Sequence, residues 1–64
     1  MKWNDVNSKF IQSIAYDDLT KELQVLIQDR TYSHYEVPLE VYEEFMNAPS
    51  KGTFYNKKIR GKYE

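Results

Sequence analysis

The stretch Val37-Pro-Leu-Glu-Val-Tyr-Glu-Glu-Phe-Met-Asn-Ala-Pro-Ser-Lys-Gly-Thr-Phe-Tyr-Asn-Lys-Lys-Ile-Arg-Gly-Lys-Tyr63 decides how the chain is read. Pro38 lacks a backbone N–H and has a fixed φ, so it ends an extended segment and suits the first turn of a helix. Beyond it Leu39, Tyr42, Phe45 and Met46 recur at helical spacing, with Glu40, Glu43 and Glu44 mostly outside that stripe. The pattern predicts a helix over Leu39–Asn47 with its apolar stripe in the core. Pro49 stops the helix. Ser50 then offers a side-chain N-cap for a second helical segment, in which Tyr55, Ile59 and Tyr63 repeat every four residues while Lys57 and Arg60 point away. Gly52 and Gly61 weaken this segment at both ends and make it short or irregular.

Upstream of Val37 the period changes from helical to alternating. Leu23, Val25 and Ile27 alternate with Glu22, Gln24 and Gln28, as in a half-buried strand, and Leu26 breaks the pattern by taking the second face. Phe10–Tyr16 predicts another strand, with Phe10, Ile14 and Tyr16 on one face, Ile11 opposite and a bulge near Ser13–Ala15. Asp17–Lys21 is a turn. Gln28-Asp29-Arg30 has room only for a hairpin turn, with Asp29 the candidate for a left-handed conformation. Thr31–Val37 is β-prone again, placing Tyr32 and His34 on one face and Ser33 and Tyr35 on the other. The expected fold is α+β: a three-stranded antiparallel β-meander followed by one or two short C-terminal helices packed on the sheet. Residues 1–64 form a single domain in which residues 1–7 are loosely ordered. Trp3 there either folds back onto the edge or is exposed.

Sixty-four residues without cysteine or a Cys/His cluster leave no disulfide or structural zinc to support a small core. Aromatic packing supplies the alternative, from six Tyr, three Phe and one Trp. No apolar run approaches the length of a membrane span, and Met1–Lys9 lacks the apolar stretch of a signal peptide. A soluble cytoplasmic protein is expected. Net charge is only -1, but its distribution is uneven. Glu36, Glu40, Glu43 and Glu44 precede Asn47, whereas Lys51, Lys57, Lys58, Arg60 and Lys62 follow it, five of the nine Lys+Arg in one short window.

Catalytic chemistry finds little support. The adjacent carboxylates Asp17 and Asp18 diverge in a turn and have no third ligand, so no metal is expected. His34 is the only histidine, and its neighbour Ser33 points to the other side of the strand, so the two form no nucleophile–base pair. Ser8, Ser13 and Ser50 are the other hydroxyls considered. There is no Gly-rich phosphate loop, HExxH or cysteine nucleophile. The expectation is a binding module without enzymatic activity or cofactor.

Two kinds of partner suit it. RNA, tRNA included, needs cations and an exposed aromatic plane on one surface. Lys51, Lys57, Lys58, Arg60 and Lys62 offer the first, and Phe54, off the Tyr55/Ile59/Tyr63 seam and near Lys58, offers the second. Against this, Phe54 is better read as a core residue in so small a domain, and the basic run as a partner for the acidic helix. A protein partner or a second copy would pair with the Phe10–Tyr16 or Thr31–Val37 edge, favoured by an exposed patch of Tyr32, Tyr35 or Phe10 on the sheet and opposed by the edge charges Lys9 and Glu36.

The residues also carry a family pattern. Val6-x-Ser8-x-x-Ile11-x-x-Ile14-x-Tyr16-Asp17, then Leu23-x-Val25-x-Ile27, then Tyr32-x-His34-x-x-Val37-Pro38 stand in order. Tyr42, Ala48, Ser50-Lys51-Gly52, Phe54-Tyr55-Asn56, Ile59-Arg60 and Tyr63 complete the series. From Val6 to Tyr63 the chain resembles the KTSC domain, a module found at the C-terminus of some lysyl-tRNA synthetases and as free-standing bacterial and phage proteins. It departs from that pattern in several places. Ala15 stands where a Gly is usual and His34 where a Tyr is usual. Pro49 fills the Ala-x-Ser corner, Phe54-Tyr55 reverses the common order, and the second hairpin turn lacks Gly and is one residue shorter. The resemblance implies the fold and an association with tRNA charging, but no activity that transfers residue by residue.

Overall fold

The computed structural model describes residues 2–6 and 8–63. Its sheet has four antiparallel strands in sequence order: β1 Lys2–Asp5, β2 Ile11–Asp17, β3 Glu22–Ile27 and β4 Arg30–His34. This corrects the expected three strands: the fourth, Lys2–Asp5, lies within the stretch expected to be loosely ordered. Lys2–Asp5 has no alternation to read; pairing fixes it, with Lys2 opposite Tyr16 and Trp3 opposite Ala15. The Ser13 hydroxyl donates to Asp5 Oδ1 at 2.6 Å, and the Val6 N–H donates to the Gln12 carbonyl at 3.1 Å. Met1 and Asn7 lie outside the described residues.

A register shift between Ile11 and Ser13 leaves Gln12 in a bulge, earlier than predicted. The extra residue changes the parity of the strand, so Ile11 and Ile14 are both fully buried on the same side. Phe10 consequently leaves the core, to which its spacing assigned it, and is 56% exposed. The β3–β4 turn is Gln28-Asp29 with φ of 49° and 67°, a two-residue hairpin of type I′ form in which Asp29 is left-handed as expected. The bulged Gln12 steadies it by accepting the Asp29 N–H at 2.9 Å. In the first turn Asp17 Oδ1 accepts the Leu19 N–H at 2.9 Å, the local bond that makes Asp a turn former.

Strand pairing puts Tyr16, Leu23 and His34 in one row on the covered face, and Ile14, Val25 and Tyr32 in the next. Leu26 falls on the opposite face beside Ser13 and Thr31, as its break in the alternation implies. α1, Leu39–Asn47, covers the sheet with Phe45 fully buried and Val41, Tyr42 and Met46 packed beside it. Leu39, assigned to the stripe by spacing, is 45% exposed. Ala48 is extended at φ -66°, ψ 136°, the conformation Pro49 imposes on the residue before it. Ser50 caps α2, Lys51–Phe54, by accepting the Thr53 N–H.

After Phe54 the helix widens into a π-helical turn, Tyr55–Ile59, closed by the Arg60 N–H on the Tyr55 carbonyl at 2.8 Å. Tyr55 and Ile59 stay buried. Gly61, at φ 84°, supplies the left-handed residue that ends the segment. The core is Ile11, Ile14, Leu23, Val25, Val37, Phe45, Tyr55 and Ile59. Each such side chain contributes about 1.5–3 kcal/mol of burial.

Candidate nucleic-acid interface

Of the residues nominated from sequence, the aromatic one is not open to a ligand. Phe54 stacks on Phe45, centroids 5.5 Å apart and planes at 12°, and packs against the core. Its ring is therefore not an open plane for a base. Lys57, Lys58 and Lys62 are exposed, with Lys62 Nζ 5.8 Å from the centroid of the Tyr63 ring. Lys51 is half-buried and donates to the Ala48 carbonyl at 3.2 Å. Arg60 is exposed.

What the structure does bring together lies around Phe10. A cavity of about 560 Å³ opens between β4, the β3–β4 turn and the π-helical turn. Phe10, Ile11, Ile27 and Tyr32 form its apolar walls, and Gln28, Ser33, Asn56 and Arg60 its polar ones. His34 and Tyr55 lie at its buried side. A second hollow of about 360 Å³ is lined by Ser8, Lys9, Pro49, Ser50 and Lys51. Phe10 and Gly52 line both, so the hollows meet at the Phe10 ring. A Cβ at Gly52 would stand 3.3 Å from Phe10 Cδ2; only a glycine lets the ring approach the backbone this closely without adjustment.

Among the described residues, those lining the two hollows include Lys9, Lys51 and Arg60 and no carboxylate. In a chain with more acids than bases this is a local positive field with two partly open rings, Phe10 and Tyr32, set in it. From sequence, Lys51 and Arg60 are nominated for nucleic acid, whereas Phe10 and Tyr32 are named for a protein partner and Lys9 as an edge charge; Gln28 and Asn56 are assigned no binding role. The Lys9-Phe10 pair was the available signal, hidden because alternation placed Phe10 in the core.

His34 is the packed aromatic that its replacement of a tyrosine implies. Its Nε2 lies 2.8 Å from the Tyr55 hydroxyl, its Nδ1 3.3 Å from the Tyr63 carbonyl, and its ring meets Tyr55 edge-on. Among the described residues no three His, Cys, Asp or Glu side chains converge on a possible metal position. Nor is any helix long and apolar enough to cross a membrane. Of the strands expected to offer an edge, β2 is internal, paired on both sides; β4 is an edge strand and β1 is the other.

The KTSC domain profile matches residues 7–63. A lysine–tRNA ligase of Trichormus variabilis is 39% identical over 56 residues, covering 86% of this chain and 10% of the ligase. A lysine–tRNA ligase of Nostoc punctiforme is 36% identical over 55 residues, 84% of this chain and 10% of its own length. The chain thus spans about a tenth of these curated relatives. A KTSC domain protein from Yersinia pestis has the same fold, with a TM-score of 0.94 at 34% identity over 98% of this chain and 90% of that one. With nearly its whole length matched in sequence and in structure, the chain belongs to the KTSC domain family.

Proposed function

We propose that this domain is a non-catalytic accessory module that binds RNA, as a handle for tRNA or tRNA-like strands. The observation that carries the reading is the pair of hollows meeting at Phe10, whose lining among the described residues holds Lys9, Lys51 and Arg60 beside exposed rings and no carboxylate. Cations with interleaved aromatic planes are what a single-stranded polyanion requires. Lys57, Lys58 and Lys62 extend the positive charge along the C-terminal segment and add long-range attraction. The occurrence of similar stretches in lysine–tRNA ligases supports an RNA partner in particular. Glu40, Glu43 and Glu44 are exposed on α1 and line neither hollow, so a polyanion is repelled from α1 and not from the Phe10 surface.

Titrating isotope-labelled protein with bulk tRNA at low and then moderate salt, following backbone amide shifts, tests the proposal. Shifts are expected at Lys9–Phe10 and from Lys51 to Lys62. They should fade with salt, each contacted phosphate adding about 0.7 to the slope of log K against log salt for single strands. No shifts at low salt would overturn it, and pairing of a protein at the β1 or β4 edge would become the reading to test.

A further inference from the structure

We infer that the cavity between Phe10 and Tyr32 receives one unstacked nucleobase of a single-stranded RNA, with the flanking phosphates held by Arg60 on one side and Lys9 and Lys51 on the other. This rests on the RNA reading above and makes it specific: the strand is recognised through a base, not only through its charge.

Four observations on this surface converge. Phe10 is 56% and Tyr32 41% exposed; Tyr35 at 59% and Trp3 at 41% are exposed as well, but neither lines the cavity. A domain this small has few aromatic side chains to leave uncovered, and two of them line the same cavity. The volume of about 560 Å³ falls within the range of sites for small organic ligands. The walls combine ring faces with Gln28, Ser33 and Asn56, whose amides and hydroxyl can both donate and accept. A base edge presents both kinds of group, whereas an acyl chain or an apolar peptide side chain presents neither.

The charge fixes the connection to a strand. Arg60 lines the cavity together with the rings, and the planar fork of a guanidinium pairs with phosphate oxygens. Across the Phe10 ring, the adjoining hollow holds Lys9 and Lys51. Lys51 uses one ammonium donor on the Ala48 carbonyl and has others for phosphate. A chain that inserts a base beside Phe10 has cations before and after it, spaced by the ring itself. That arrangement suits a continuous strand better than an isolated nucleotide, which would use one hollow only.

Fluorescence anisotropy with four probes decides the matter: a short oligouridylate, a short oligoadenylate, a blunt-ended RNA duplex of matched charge, and AMP. The single strands should bind at least tenfold tighter than the duplex and far tighter than AMP. Phe10→Leu should weaken single-strand binding by roughly ten- to a hundredfold, the effect of removing one base stack, while leaving duplex binding and the thermal melting curve unchanged. Arg60→Gln should reduce the salt slope by about 0.7. Equal binding of duplex and single strand, unaffected by Phe10→Leu, would overturn the base receptor and leave an electrostatic RNA binder. AMP binding as tight as the oligonucleotides would overturn the strand and make the ligand a free nucleotide. If no probe binds at low salt, the RNA reading itself falls.

Discussion

Two aromatic regions of the domain use the same kind of side chain in opposite ways. Where β2 meets α1, Tyr16 and Tyr42 stack with centroids 4.6 Å apart and planes at 9°. The Tyr16 hydroxyl donates to the Val37 carbonyl at 2.6 Å, and Asn4 Nδ2 donates to the Tyr42 hydroxyl at 3.3 Å. Nearby, Phe45 is sandwiched against Phe54 and Tyr55. Around the cavity, by contrast, Phe10 and Tyr32 stand open beside cations. The first region is closed: each ring has an aromatic partner and the tyrosine hydroxyls are engaged. Among the described residues, the second has rings without such mates, which is why it, rather than the C-terminal helical seam, is the place to look for a ligand.

The largest expected effect tests this contrast directly. Phe45→Ala removes a fully buried ring from the closed region and should cost about 3–5 kcal/mol. That is most of the stability available to a domain of this size, so the variant should unfold at low denaturant or fail to fold. Phe10→Ala deletes a ring of equal size, but one more than half exposed, and should lower the unfolding free energy read from urea titration by less than about 1 kcal/mol. Comparable losses from both would mean that Phe10 is structural and that the open region is simply another part of the core.

A middle-sized effect concerns the hydroxyl of Tyr16. Tyr16→Phe removes its hydrogen bond to the Val37 carbonyl and should cost about 1 kcal/mol near neutral pH. Burial, assisted by the negative charges of Asp18 and Asp17, raises the Tyr16 pKa above the ordinary tyrosine value. A group with a raised folded-state pKa contributes stability that is complete below its unfolded pKa and is lost as pH climbs through the folded one. The advantage of the native chain over Tyr16→Phe should therefore hold at pH 8 and shrink above about pH 10. Urea unfolding of both proteins at two pH values checks this. A gap that stays constant into the alkaline range would show that the hydroxyl is not held neutral by its surroundings.

The contrast between the two regions also explains which parts were legible in the sequence. Helix α1 could be bounded because Pro38 and Pro49 act locally, and the Ser50 cap likewise needs only its own turn. The strand alternation of Leu23, Val25 and Ile27 is equally local. β1 was not legible, since Lys-Trp-Asn-Asp has no period and is a strand only because β2 offers it an edge. The π-helical turn was hidden because a four-residue spacing of Tyr55, Ile59 and Tyr63 fits a wide turn as well as an ordinary one. The site failed for one reason of parity: Gln12 in the bulge shifts every residue before it by one face. With the bulge placed at Ser13–Ala15, Phe10 shares a face with Ile14; with it at Gln12, Phe10 turns out of the core.

The smallest effect is the sharpest, because it should move stability and binding in opposite directions. Gly52 belongs to α2 and to both hollows. Replacing it by alanine favours the helix by up to about 1 kcal/mol, since alanine loses less backbone freedom on folding. The new Cβ would sit 3.3 Å from Phe10 Cδ2, close enough that the ring must yield by a few tenths of an ångström. Phe10 is exposed and can do so at little cost to the fold. Gly52→Ala should thus melt at the same temperature or slightly higher, yet bind a short single-stranded RNA a few-fold more weakly. Thermal melting and anisotropy on the same sample read both quantities. If binding is unchanged while the ring moves, the position of Phe10 does not set affinity. If stability falls instead, the contact between Phe10 and Gly52 belongs with the closed region, and the boundary between the two must be redrawn.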